Sequence, residues 1–274
     1  MPMLPLILLH GYPFDGTLWK DVASFIGPDF QVFAPDLPGF GQNHRLPVEP
    51  SIESMADDVA HFLQRKQIRH GVVAGMSMGG YVALAFAERH PKMLAGLGLI
   101  STHAWADTDE IRRVRRKTQV KAEKEGPLAA IEGLLPKLFF PSAQENEAFR
   151  NLPIAAAQNA GVECLCWALE AMARRPDRSK LLMHLSMPAL VMHGKGYQII
   201  PVERAQEMAR HIPNADWVEV QRAGHVLPLE APDIVAHALT QLAERASRFS
   251  PETGLYKRDK EDRGIVIAPT EHGL

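Results

Sequence analysis

Short apolar runs alternate with longer amphipathic stretches along most of this chain. The runs fall at Leu4–Leu9, Val32–Ala34, Val72–Ala74, Leu97–Ile100, Ala189–Met192 and Trp217–Val220, and each closes near Gly, Pro, Asp or His. Apolar runs this short, bounded by turn residues, are expected of strands buried in a parallel sheet. The stretches between them read as helices. Ser54–Lys66 places Met55, Val59, Phe62 and Leu63 on one face, Gly80–Arg89 is rich in Ala and Leu, and Val202–His211 precedes Pro213. Alternating strands and helices predict a doubly wound, mostly parallel α/β sheet.

One region breaks the alternation. From about His103 to Leu185 there is no strand pattern, only helical segments at Glu110–Glu125, Pro127–Leu138 and Val162–Arg174. A structureless loop of that length does not fit inside a compact domain, so an inserted helical cap is expected over 103–185. The core would then comprise 1–102 and 186–246. The tail, 247–274, carries YKRDKEDR and GIVIAP and is expected to be a loosely held polar extension. The basic run from Arg112 to Lys124 is interspersed with Glu and reads as a solvated helix face rather than an anion site.

Composition narrows the function classes. With 274 residues, 46% of them hydrophobic, the chain can bury a large core. A net charge of −2 gives no electrostatic reason to expect nucleic acid or an anionic membrane as partner. The apolar run at the N-terminus is too short to span a bilayer and lacks a basic flank, so a soluble cytoplasmic protein is expected. Cys164 and Cys166 stand two apart on a predicted helix and point away from each other, which disfavours a disulfide or a shared metal. No metal-ligand spacing and no phosphate-binding glycine loop is present, so no metal or organic cofactor is implied. Oligomeric state is left open.

The strongest chemical signal is Gly75-Met76-Ser77-Met78-Gly79. A bare G-x-S-x-G is weak, but here an apolar strand runs straight into it and a helix-forming stretch follows. A strand–turn–helix of this kind lifts the serine hydroxyl above the sheet edge, next to the positive end of a helix dipole. Ser77 is therefore the candidate nucleophile.

Together with LLHGYPFDGTLW (8–19), APDLPGFGQN (34–43) and RAGHVLPLEAPD (222–233), this motif resembles the α/β-hydrolases, in the group of esterases, lactonases and cofactor-free perhydrolases. The likeness runs from Leu4 to about Leu242, although the antiparallel strands that usually open the fold are absent from the sequence. It implies a serine hydrolase acting on small carboxylic esters or lactones. His225, which follows the last strand and comes after the serine in chain order, would be the base. The backbone N–H groups of Tyr12 and Met78 would form the oxyanion hole. His10 and Asp36 are expected to fix loops, and His193 to be a packed residue at a strand end. Trp105, Leu135, Phe139, Phe140, Trp167 and Met172 are apolar enough either to line an acyl pocket or to pack the cap on the core.

The resemblance also exposes a departure. The family's strand ending in H-G is followed by G-x-x-D-x-x-x-P, and the Asp orients the catalytic histidine. Here Gly194 and Pro201 keep the spacing, but the acid's position is held by Tyr197. A neutral phenol can accept a hydrogen bond from His225 but cannot stabilise an imidazolium. Three readings stay open: an acid from elsewhere, with Asp107 the nearest candidate; a Ser–His dyad with impaired activity; or a ligand-binding protein on the hydrolase scaffold.

Overall fold

The computed structural model describes residues 4–196 and 199–256. Six parallel strands form one sheet: β1 (Leu6–Leu9), β2 (Val32–Phe33), β3 (Gly71–Met76), β4 (Leu94–Ile100), β5 (Ala189–Gly194) and β6 (Ala215–Val220). Their order is β2-β1-β3-β4-β5-β6. Each apolar run in the sequence contributed a strand because its side chains supply both faces. Ile7, Leu9 and Val73 join one core cluster, whereas Leu6, Leu8, Val72 and Ala74 join the other. That is the period of two expected of a doubly covered strand.

Helices cover both faces. On one lie α1 (Lys20–Phe25) and, from the C-terminal part of the chain, a helix at Pro232–Ala246. The other carries α2 (Ile52–Arg65) and α3 (Met78–Arg89). Helix α2 starts where the Ser51 hydroxyl accepts a hydrogen bond from Ser54 N at 3.0 Å, and it buries Met55, Val59 and Leu63 on one stripe.

Between β4 and β5 the chain forms no strand, and its α-helices are α4 (Asp109–Glu125), the short α5 (Pro141–Gln144) and α6 (Glu147–Arg174). Two expectations are corrected here. Pro127–Leu138 is not a continuous helix but two 3-10 turns, Pro127–Ala130 and Leu135–Lys137, since Gly133 and Pro136 interrupt any longer one. The helix expected at Val162–Arg174 is the second half of α6, which begins at Glu147 and is broken where Gly161 adopts φ 73°. After β5 come α7 (Val202–His211), β6, the single turn α8 (Leu227–Glu230) and α9 (Pro232–Ala246).

The chain beyond residue 246 is packed further than its polarity suggested. Phe249 is buried in the core, and Phe249–Ser250 pairs antiparallel with Leu255–Tyr256. Residues 257–274, including GIVIAP, lie outside the described part. No helix among the described residues is long and apolar enough to cross a membrane.

Candidate active site

The strand order places the site. From β1 the chain moves to β2 on one side, and from β3 onward it builds β4, β5 and β6 on the other. The loops leaving β1 and β3 therefore diverge, and a crevice opens at the carboxyl ends of these two strands. Tyr12 follows β1 and Ser77 follows β3.

Ser77 has φ 55° and ψ −115°, a conformation disfavoured for any residue with a side chain and worth on the order of 1–3 kcal/mol of strain. The surroundings enforce it. Its N–H donates to Ile100 O at 2.9 Å, and its carbonyl accepts from the Thr102 hydroxyl at 2.9 Å. The flanking glycines are required by close approach of backbone. A Cβ on Gly75 would stand 2.0 Å from Gly79 O, and one on Gly79 would stand 2.3 Å from Leu9 O. From Gly71 to Ala87 every residue is buried except Ser77. The turn thus presents one hydroxyl at the mouth of the crevice, with the Met78 amide opening α3 behind it.

The opposite wall is the loop after β1. Gly11 lies close against the turn: a Cβ there would stand 3.1 Å from both the Ser77 Cβ and Met76 O. This proximity brings the Tyr12 segment to the serine. Tyr12 is buried, and its hydroxyl donates to Ala130 O in the cap at 3.3 Å. His10 holds the loop in place. Its Nε2 accepts from Leu37 N at 2.9 Å, which leaves the proton on Nδ1, close to Gly11 O. Burial lowers its pKa and keeps it neutral. Asp36 ties loops together by accepting from Gly16 N at 2.7 Å and Gln42 N at 2.8 Å.

His225 reaches the same edge from β6. The chain after β6 turns back across the carboxyl end of the sheet, and α8 packs against the turn at Gly16–Trp19 that follows β1. His225 is 2% exposed, and its backbone N–H donates to Leu138 O at 2.8 Å. Burial pushes its pKa down to about 3, with repulsion from neighbouring His193 in the same direction. His193 is itself buried at the end of β5, beside the Trp217 ring, and burial lowers its pKa to about 4. Both imidazoles are neutral at pH 7.

A residue not foreseen from the sequence fixes the His225 loop. One oxygen of Glu230 accepts from Gly224 N at 2.9 Å and from Phe140 N at 2.8 Å, and the other from Val226 N at 3.1 Å. The amides on both sides of His225 are thereby tied to one carboxylate and to a cap residue. Burial raises the Glu230 pKa, and these three donors oppose the rise.

The candidate acids separate clearly. Tyr197 lies outside the described residues. Gly196, just before it, donates to Ala223 O at 2.9 Å, two residues from His225. Asp107 is occupied elsewhere: Oδ1 accepts from Arg175 Nη1 and Oδ2 from Arg115 Nε, both at 2.6 Å. Burial would raise its pKa, but the two guanidinium groups outweigh this and lower it. It anchors the cap and does not serve the histidine. Arg115 corrects the reading of the Arg112–Lys124 run as a wholly solvated face, since it turns inward on the stripe Arg115, Thr118 and Ala122. That spacing was the available signal. Arg175 also lies 3.9 Å over the Tyr81 ring and donates to His103, whose pKa burial lowers to about 3.

Of the six cap residues considered for an acyl pocket, none lines the cavity of about 290 Å³ beside Tyr12. Leu135 and Phe139 line a separate cavity of about 380 Å³. Trp167 packs in the core and donates to Pro47 O at 2.9 Å, and Met172 is buried.

With this geometry in hand, the comparisons with known proteins agree. The sequence profile of the alpha/beta hydrolase fold matches residues 5–125. The structure of a thermophilic esterase from Thermogutta terrifontis is 36% identical and superposes with a TM-score of 0.82, covering 89% of this chain and 90% of that one. The AB hydrolase superfamily protein YisY of Bacillus subtilis (strain 168) is 28% identical over 81% of this chain and 84% of its own. A pimeloyl-[acyl-carrier protein] methyl ester esterase of Vibrio vulnificus (strain YJ016) is 23% identical over 87% of this chain and 93% of its own. This chain belongs to the α/β-hydrolase fold family.

Proposed function

We propose that the chain is a serine hydrolase of small carboxylic esters or lactones, acting through an acyl-enzyme on Ser77. The observation that carries the reading is the Ser77 turn: a strained residue, the one residue not buried between Gly71 and Ala87, at the point where the strand order reverses. The esterases among its relatives support the same chemistry.

His225 removes the Ser77 proton as Oγ attacks the ester carbonyl. The resulting oxyanion is held by the Tyr12 and Met78 amides, and each such donor is worth about a hundred- to a thousand-fold in rate. Collapse breaks the bond to the alkoxide, which takes the proton back from His225. Water then gives a proton to His225 and attacks the acyl carbon, and collapse releases the acid while His225 passes that proton to the departing Ser77 Oγ. A neutral His225 suits the first step. Its burial, however, makes the imidazolium costly, and the position that usually supplies a countercharge carries Tyr197. With a phenol at that position the imidazolium gains no countercharge from it, and the reaction is expected to run at a reduced rate. A cavity of about 290 Å³ suits short or medium acyl groups better than long ones.

Hydrolysis of p-nitrophenyl acetate and butyrate tests this. The wild-type protein should turn both over, and Ser77→Ala should lose at least about a thousand-fold. Equal rates in the two proteins would leave only a binding role for the scaffold.

A further inference from the structure

The cavity beside Tyr12 has a charge pattern that the reaction above does not require. Its mouth is apolar, formed by the exposed side chains of Ile111, Val114 and Ile199. The ionised side chains in its lining, among the described residues, are both cations, Arg115 and Lys137. Lys137 forms no ion pair among the described residues. Arg115 directs Nε to Asp107 and Nη1 to the Met172 sulfur at 3.6 Å, while Nη2 makes no hydrogen bond among the described residues. Asp107 is shared with Arg175, so this largely buried cluster holds two guanidinium groups against one carboxylate. A positive excess removed from water is costly unless an anion offsets it.

We propose that this cavity receives a carboxylate carried by the substrate in addition to its ester or lactone group. Arg115 Nη2 is the principal partner, Lys137 is a second cation at the rim, and the apolar mouth covers the intervening methylenes. Guanidinium is the side chain best matched to a carboxylate, by planarity and by charge-assisted hydrogen bonds. The substrates so defined are half-esters of short dicarboxylic acids, or lactones bearing a free carboxylate. The inference rests on the ester-hydrolase reading and narrows it.

The test compares monomethyl succinate, glutarate and adipate with methyl butyrate, valerate and hexanoate, following acid release by titration at constant pH. The wild-type protein should favour at least one anionic ester over its neutral counterpart by about ten-fold or more in kcat/KM, mostly through KM, the effect of one charge-assisted hydrogen bond. Arg115→Gln should bring that ratio close to one, whereas Arg115→Lys should keep most of it. If Arg115→Gln does not fold, the exposed Lys137→Glu should still lower the ratio several-fold. A wild-type ratio near one across the series, or a ratio unchanged by these substitutions, overturns the proposal while leaving the hydrolase reading intact. If neither series is hydrolysed, the hydrolase reading falls instead. Calorimetric titration with glutarate then decides the subsite: weaker binding by Lys137→Glu than by wild type upholds it, and equal or absent binding overturns it.

Discussion

The turn at Ser77 and the cluster around Asp107 are both buried and polar, yet they are built by opposite means. At Ser77 the backbone does the work. The serine's strained conformation is held by backbone bonds and by contacts so close that Gly75 and Gly79 admit no side chain. At Asp107 long side chains do it, joining positions 8 and 68 residues apart through Arg115 and Arg175. The first is rigid through sterics and costs nothing in desolvated charge. The second is held by charge, with two guanidinium groups around one carboxylate.

The largest expected effect breaks the charged half. Asp107→Asn leaves two buried guanidinium groups without a counterion, and chemical denaturation should show a loss of about 3–5 kcal/mol. A loss below about 1 kcal/mol would mean the cluster is far more hydrated than its burial indicates. Next comes Tyr197→Asp, which should raise kcat by roughly ten- to a thousand-fold. A carboxylate there would stabilise the imidazolium that burial now disfavours, and loss of the equivalent acid in serine proteases costs about four orders of magnitude. The gain should vanish in Ser77→Ala/Tyr197→Asp. A folded Tyr197→Asp that is no faster would show that His225 finds its countercharge elsewhere. The smallest effect concerns positioning. Glu230→Gln leaves one acceptor oxygen where there were two and sets an NH2 against at least one of the three amide donors, so kcat should fall by roughly three- to ten-fold with KM nearly unchanged. A change confined to KM would place Glu230 in substrate binding instead.

The same contrast explains what could be read from the sequence. The six strands and the Ser77 turn were legible because local pattern dictates them. Runs such as Val72–Ala74 must be buried on both faces, and glycines beside a serine between strand and helix have one steric explanation. His225 stood out through chain order and its neighbour Gly224, and it follows β6 at the carboxyl edge of the sheet. Glu230 did not, since a glutamate five residues on gives no hint that it will collect three amides, one of them 90 residues away. Arg115 lay in a run of like charges, where only its helical stripe marked it as inward-facing. Pro127–Leu138 forms two short turns instead of one helix, with Gly133 between them and Pro136 inside the second. The tail's polarity masked Phe249, whose single buried ring holds that segment to the core.

The central claim is that Ser77 is the nucleophile, and covalent trapping tests it most directly. Incubation with an alkyl fluorophosphonate, followed by intact-mass and peptide mass spectrometry, should give one adduct per chain. It should be located at Ser77 in the peptide containing GMSMGG, be absent from Ser77→Ala, and form much more slowly in His225→Ala. An adduct at another residue, or none in a preparation that hydrolyses esters, would contradict the account.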